Sequence, residues 1–160
     1  MPRSCDDAAR RSSTPVGGNA VLPRVRRADV TQARIDVDAL AALVGDPGCG
    51  GVVSFAGVVR DHDHGRAVAS LEYEGHPSAQ AVLAEVAAEI AAEHDVVLAV
   101  THRIGPLAVG DVALGAAVAS AHRGPAFAAC AMLVDRVKER LPVWKHQRFT
   151  DGTDEWVNCA

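Results

Sequence analysis

Two pairs of β-forming runs constrain the fold of this chain most. Residues 51–60 and 68–74 are rich in Val, Phe, Leu and Tyr and flank a short polar loop. Residues 96–101 and 111–121 repeat the arrangement across Gly105-Pro106. Such residues suit a pleated, half-buried surface. Runs this close in sequence favour antiparallel neighbours, because a parallel return needs a long crossover. Each pair is followed by helical periodicity. Pro77-Ser78 opens a helix to about Glu93, with Ala79, Val82, Leu83, Val86 and Ile90 as its apolar stripe and Glu85, Glu89 and Glu93 as a solvated face. A second helix runs from about Ala126 to Arg140, with Phe127, Cys130, Ala131, Val134, Val137 and Leu141 inward, and Pro142 stops it. Ahead of all this, residues 30–35 read as a strand, and Asp36 or Asp38 caps a short helix ending at Val44. The order predicts an α+β fold, a mixed or antiparallel sheet with packed helices.

The 160 residues suit one domain with a real core. Residues 1–28 mix Arg, Ser, Pro, Gly and Asp without apolar periodicity and read as a disordered basic tail, leaving 29–160 as the domain. A net charge of −4 and few aromatic rings argue against nucleic acid as a partner. No apolar run reaches membrane-spanning length, and no apolar core follows Arg10-Arg11 to make a signal peptide. The four cysteines are widely spaced, which fits reduced thiols in the cytoplasm rather than a disulfide framework or a zinc site.

Several residue types carry chemistry. The chain has two lysines, Lys138 and Lys145, against fourteen arginines. Lysine can act as a proton-transfer group or nucleophile, whereas arginine stays charged. Lys138 lies at the border of the apolar face of its helix, which predicts a half-buried stem, and Pro142 separates it from Lys145. Arg60, His102-Arg103 and His122-Arg123 all stand at strand ends, and the last pair opens a helix whose first N–H groups lack partners. Clustered strand ends would make a basic pocket for an anion in an acidic protein. Gly57 interrupts its strand; a bulge there would bring Phe55 and Arg60 to one side. Asp61-His62-Asp63-His64 invites a metal-dependent hydrolase, but alternating residues in a turn do not close a metal site, and a solvated hairpin loop is the reading adopted.

The series Gly51-Val-Val-Ser-Phe55-Ala-Gly57-Val-Val-Arg60, Leu71-Glu-Tyr73-Glu74, His102-Arg103-Ile-Gly105, Ser120-Ala-His122-Arg123, Ala126-Phe127 and Asp135-x-x-Lys138-x-x-x-Pro142-Val-Trp144-Lys145 resembles the catalytic (large) subunit of molybdopterin synthase. The resemblance covers about residues 29–157. It implies an α/β-hammerhead fold and a homodimer. In that family each subunit holds a small ubiquitin-like sulfur carrier, giving a heterotetramer. The carrier's C-terminal Gly-Gly, as a thiocarboxylate, passes sulfur to cyclic pyranopterin monophosphate in two rounds, making the dithiolene of molybdopterin. By the same resemblance Lys138 and Lys145 are catalytic. Arg60, His122, Arg123 and Arg103 hold the anionic pterin, and Phe55 lines the pocket. Neither a metal nor a cofactor of its own is implied. A non-catalytic scaffold for a ubiquitin-like protein is the alternative. The chain departs from the family pattern at His146-Gln147, where an acid is usual two residues after the second lysine. It departs again at Asn158-Cys159-Ala160, where basic residues are common, leaving Arg148 to take their role.

Overall fold

The computed structural model describes residues 23–158. Nine strands and three helices follow one another among them: β1 (Val25–Thr31), α1 (Val37–Leu43), β2 (Gly51–Val58), β3 (His62–Asp63), β4 (Arg66–Gly75), α2 (Ala79–His94), β5 (Val97–Arg103), β6 (Gly105–Leu107), β7 (Val112–Ser120), α3 (Arg123–Arg140), β8 (Val143–Phe149) and β9 (Asp154–Asn158). The fold is α+β. The domain begins earlier than residue 29, because β1 starts at Val25; most of the expected tail, residues 1–22, lies outside the described residues.

Two sheets divide the strands. The first has the order β1-β5-β7-β2, with β1 and β5 parallel and the other pairs antiparallel. The second has the order β3-β4-β8-β9, and β6 also pairs with β4. The expected neighbours 96–101 and 111–121 do pair, as β5 with β7. The expected neighbours 51–60 and 68–74 do not. β2 lies against β7, while β4 belongs to the second sheet. The physical reason is Arg60-Asp61: the chain leaves the first sheet there and starts a new hairpin at β3. That hairpin turns on His64 and Gly65, both with positive φ. Two left-handed residues match the twist of the strands they join.

The main core lies between the first sheet and the pair α2 and α3. Leu83, Ile90, Leu98, Val118 and Leu133 are fully buried in it. α3 buries Ala126, Ala129, Cys130, Leu133, Val134 and Val137, a three-and-four spacing that marks one face. Burying a residue such as Leu133 contributes roughly 1.5–3 kcal/mol. Phe127, expected inward, is instead 62% exposed, because Ala126 and Ala129 take the inner positions of that turn. On the other side of the sheet α1 packs Leu40 and Val44 against Ala99, Ala117 and Ala119. α1 is capped by Asp36, which accepts from the Ala39 N–H at 3.0 Å. Gly115 permits this closeness: a Cβ there would stand 2.6 Å from Ile35 Cγ2.

Both lateral edges of the first sheet are managed differently. At β1, Gln80 of α2 accepts from the Val30 N–H at 2.8 Å and donates to the Ala28 carbonyl at 2.7 Å, so one side chain imitates a neighbouring strand. At β2 no further strand follows among the described residues, and Val52 and Val58 are about half exposed. The glutamates of α2, expected to be solvated, clasp α3. Arg136 reaches Glu93 at 2.8 Å and Glu89 at 3.2 Å, and Arg140 reaches Glu89 at 2.6 Å and Glu85 at 3.1 Å.

Candidate active site

Two adjoining pockets of about 100 and 150 Å³ form one cleft beside the C-terminal end of α3. Val58, Val59, Tyr73 and Lys138 line both. The first pocket adds Phe55, Gly57, His102 and Leu114; the second adds Arg60, Asp63, Lys145 and Gln147.

Each side chain arrives by simple geometry. Arg136 and Arg140 are one turn apart and face the α2 glutamates; Lys138 is about 200° around the helix from Arg136 and so faces away from them. It is exposed rather than half buried. Pro142 ends α3, and β8 begins at Val143. Alternation along β8 then sends Val143, Lys145, Gln147 and Phe149 to one face and Trp144, His146 and Arg148 to the other. Tyr73 pairs in register with Lys145, and Leu71 with Gln147, so all four share the cleft face. The register of β2 against β7 slips between Gly57 and Val58, with Ala113 of β7 as the extra residue. The irregularity expected in β2 at Gly57 lies opposite it, on β7, and β2 keeps its alternation; Phe55 and Arg60 reach the cleft through its two adjoining pockets instead.

Asp63 is the acid of the cleft. The β3–β4 hairpin turns its carboxylate inward, leaving the residue 9% exposed, although its neighbours Asp61, His62 and His64 are in solvent. Gln147 Nε2 donates to Oδ2 at 2.7 Å, Lys145 Nζ donates to Oδ2 at 3.4 Å, and Arg60 Nη2 donates to Oδ1 at 3.2 Å. The Gln147 hydrogen bond, and after it the Lys145 charge, hold the Asp63 carboxyl below the usual carboxylate range despite its burial. Gln147, itself 2% exposed, spends its second N–H on Glu155 at 3.1 Å.

The remaining expected pocket residues lie elsewhere in the subunit. Arg103 pairs with Asp111 at 3.2 Å and also donates to the Pro106 carbonyl. His122 and Arg123 stand exposed at the N-terminus of α3, about 22 Å along the helix from Lys138. Arg148 lines a separate hollow of about 490 Å³ with Ser70 and His146, on the opposite face of β8. No group of three or more His, Cys, Asp and Glu side chains among the described residues is placed to hold a metal.

Residues 30–140 match the family model described as MoaE protein. The chain belongs to the MoaE family. A protein named molybdopterin synthase catalytic subunit from Nostoc sp. is 36% identical over 134 residues, covering 82% of this chain and 81% of that one. A protein of the same name from Staphylococcus carnosus is 40% identical over 114 residues, covering 70% and 75%. The crystal structure of molybdopterin synthase from Staphylococcus aureus superposes with a TM-score of 0.77 at 30% identity, over 86% of this chain and 98% of that one.

One cleft residue of this MoaE chain, Asp63, escapes a reading of the sequence, and another, His102, is not the cation expected at that strand end. Asp63 is concealed in a loop of alternating Asp and His, and only the positive-φ turn after it shows which side it takes. His102, not its neighbour Arg103, lines the pocket. It is 1% exposed, meets Tyr73 edge-on at 5.1 Å, and its Nδ1 has no hydrogen-bond partner. Burial pushes its pKa from 6.5 to about 4; a backbone hydrogen bond at Arg103 opposes this, and the Lys138 charge adds to it. The cleft thus has a neutral imidazole in its wall.

Proposed function

We propose that this chain is the catalytic subunit of a molybdopterin synthase. It takes sulfur from the C-terminal thiocarboxylate of a small ubiquitin-like carrier and delivers it to cyclic pyranopterin monophosphate. One observation carries the reading: the only two lysines of the chain, from α3 and β8, open on one cleft beside Arg60.

The chemistry asks for what those residues supply. Each round forms a C–S bond on the pterin side chain and breaks a C–O bond there, and the departing oxygen needs a proton. Opening the cyclic phosphate leaves a monoester with more negative charge. The carrier, having lost its sulfur, leaves as the carboxylate once water has added to its acyl carbon. The ammonium groups of Lys138 and Lys145 can donate the proton and stabilise the charge, while Arg60 attracts the phosphate. Pockets of this size suit a slender tail without side chains, which a Gly-Gly terminus is, with the pterin at the mouth.

A homodimer belongs to this reading. His122 and Arg123 are too distant to serve the Lys138 cleft of their own subunit. The open edge of β2, with Val52 and Val58, and the neighbouring Phe127 leave apolar surface for a second copy to cover. A heterotetramer with two carriers follows. No described helix is long and apolar enough to cross a membrane, and Cys49 and Cys130 are free thiols, in keeping with a cytoplasmic enzyme.

The test is Lys138→Ala mixed with thiocarboxylated carrier and precursor. Product formation should slow by on the order of 100-fold while carrier binding persists, since losing a proton donor typically costs 10²–10⁴. An unchanged rate would leave only a scaffold that holds the carrier.

A further inference from the structure

We infer that Asp63 is a positioning residue for Lys145, an anionic anchor that the fold supplies from the β3–β4 hairpin. The inference rests on the reading of Lys145 as a catalytic group.

The geometry is specific. Lys145 stands on β8, and its stem must cross the cleft face beside Tyr73. Its side chain is only 15% exposed, so water does not set its direction. Asp63 Oδ2 does, at 3.4 Å. The carboxylate is fixed in turn. Gln147, two residues along the same face of β8, holds the same oxygen at 2.7 Å, and Arg60 holds the other at 3.2 Å. Gln147 cannot swing away, because its other N–H is committed to Glu155. The hairpin cannot slide, because Asp63 pairs with Arg66 across a two-residue turn of left-handed residues.

Charge explains why an acid is wanted there. Arg60, Lys138 and Lys145 put three cations around one small pocket. Asp63 is the only carboxylate lining it among the described residues. It lets Arg60 and Lys145 share an anion instead of repelling each other, yet both keep donors for a substrate oxygen. The arrangement also accounts for a glutamine two residues after Lys145: with the acid arriving from β3, β8 needs only a donor to hold it.

This assigns Asp63 an effect on turnover rather than on affinity. Asp63→Asn keeps the shape and removes the charge. Lys145 then loses its anchor, and kcat should fall on the order of 10- to 100-fold, the usual cost of a misplaced catalytic group. KM for the anionic precursor should stay level or drop, because the pocket becomes more positive. A merely structural role would instead raise KM and lower the unfolding temperature along with kcat. Exchanging the two partners, Asp63→Asn with Gln147→Glu, in a Glu155→Gln background so that the new carboxylate faces a donor and not a second acid, restores a carboxylate beside Lys145 and reverses one hydrogen bond; it should recover most of the lost kcat.

Steady-state kinetics of sulfur transfer with saturating thiocarboxylated carrier, run with thermal unfolding on the same samples, decides it. A fall in kcat for Asp63→Asn at unchanged unfolding temperature, with recovery in the exchanged variant, supports the assignment. An Asp63→Asn enzyme within twofold of wild type, or a loss that the exchange does not recover, overturns it. Should Asp63→Asn not fold, Gln147→Met serves: it removes the main donor to Asp63 and should lower kcat in the same way, and unchanged kcat there also overturns the role. Lys145→Ala runs alongside. Full activity in that variant overturns the catalytic reading of Lys145 itself, whereas an inactive Lys145→Ala beside a fully active Asp63→Asn removes only the anchor.

Discussion

Lowering the pH from neutrality to about 4.5 protonates an ordinary histidine, but His102 holds out against it, with a pKa near 4 in place of 6.5. The cause is burial, for the ring is 1% exposed between Tyr73 and the cleft. The consequence for stability follows from proton counting. Between about 6.5 and about 4 the unfolded chain carries a proton at this position and the folded chain does not. The unfolded state therefore binds more protons in that window, and stability rises with pH across it. Put the other way, a contribution present above 6.5 is lost as the pH falls toward 4. Each tenfold in proton affinity is worth about 1.4 kcal/mol, so the full effect approaches about 3.5 kcal/mol, and about 2.5 kcal/mol of it is gone by about pH 4.5. Acid also weakens the fold through carboxylates held below their usual range, Asp63 and Asp111 among them, so wild type alone is not diagnostic. The comparison is with His102→Leu, which removes the titrating group and strands no partner of Nδ1. Urea unfolding of both proteins at fixed concentration, at neutral pH and at about pH 4.5, reads the difference. Wild type should lose about 2.5 kcal/mol more than the variant on acidification. Parallel losses in the two proteins would refute the idea that the buried imidazole stays neutral.

Two further outcomes follow from the packing and the cleft. Gly115→Ala places a methyl 2.6 Å from Ile35 Cγ2 and 3.0 Å from Leu40 Cδ1, so it should cost about 1–3 kcal/mol in denaturant unfolding as α1 is pushed off β7. Arg60→Ala should raise KM for the phosphorylated precursor by on the order of tenfold with little change in unfolding temperature, since its side chain is 65% exposed.

The helices were legible because burial and period agree in them. α2 and α3 end within three residues of their predicted bounds, and Asp36 caps α1 as its type suggests. Strand pairing was legible only where the connection is short, as between β5 and β7, whose link of eight residues carries β6. The pairing of β2 with β7 joins residues about sixty apart, and no local pattern announces it. β8 shows the opposite difficulty. Its inward face reads Val143, Lys145, Gln147, Phe149. The two polar members make the cleft, and by doing so they erase the apolar alternation that would have marked a strand. The lysines could be picked out by their rarity and His102 by its strand end, but neither the inward turn of Asp63 nor the burial of His102 could be, because both come from the two sheets meeting. Phe127 misled for a related reason: helical spacing identifies a face, while small alanines on α3 decided which residues fit against β7.

The strand pairings bear on how the chain is made. β1 pairs with β5, so Thr31 waits for Arg103; β2 pairs with β7, so Gly51 waits for Ser120; and α1 packs on β7. β1 waits for about the first hundred residues, and α1 and β2 wait for β7, which ends at Ser120. Closure over such distances is entropically costly, and chains dominated by non-local pairing fold slowly. The hairpin of β3 and β4 is local in sequence and needs no such wait to pair. Asp63 stands in that hairpin, but Gln147 and Lys145, which hold its carboxylate, arrive only with β8, so the cleft is assembled last.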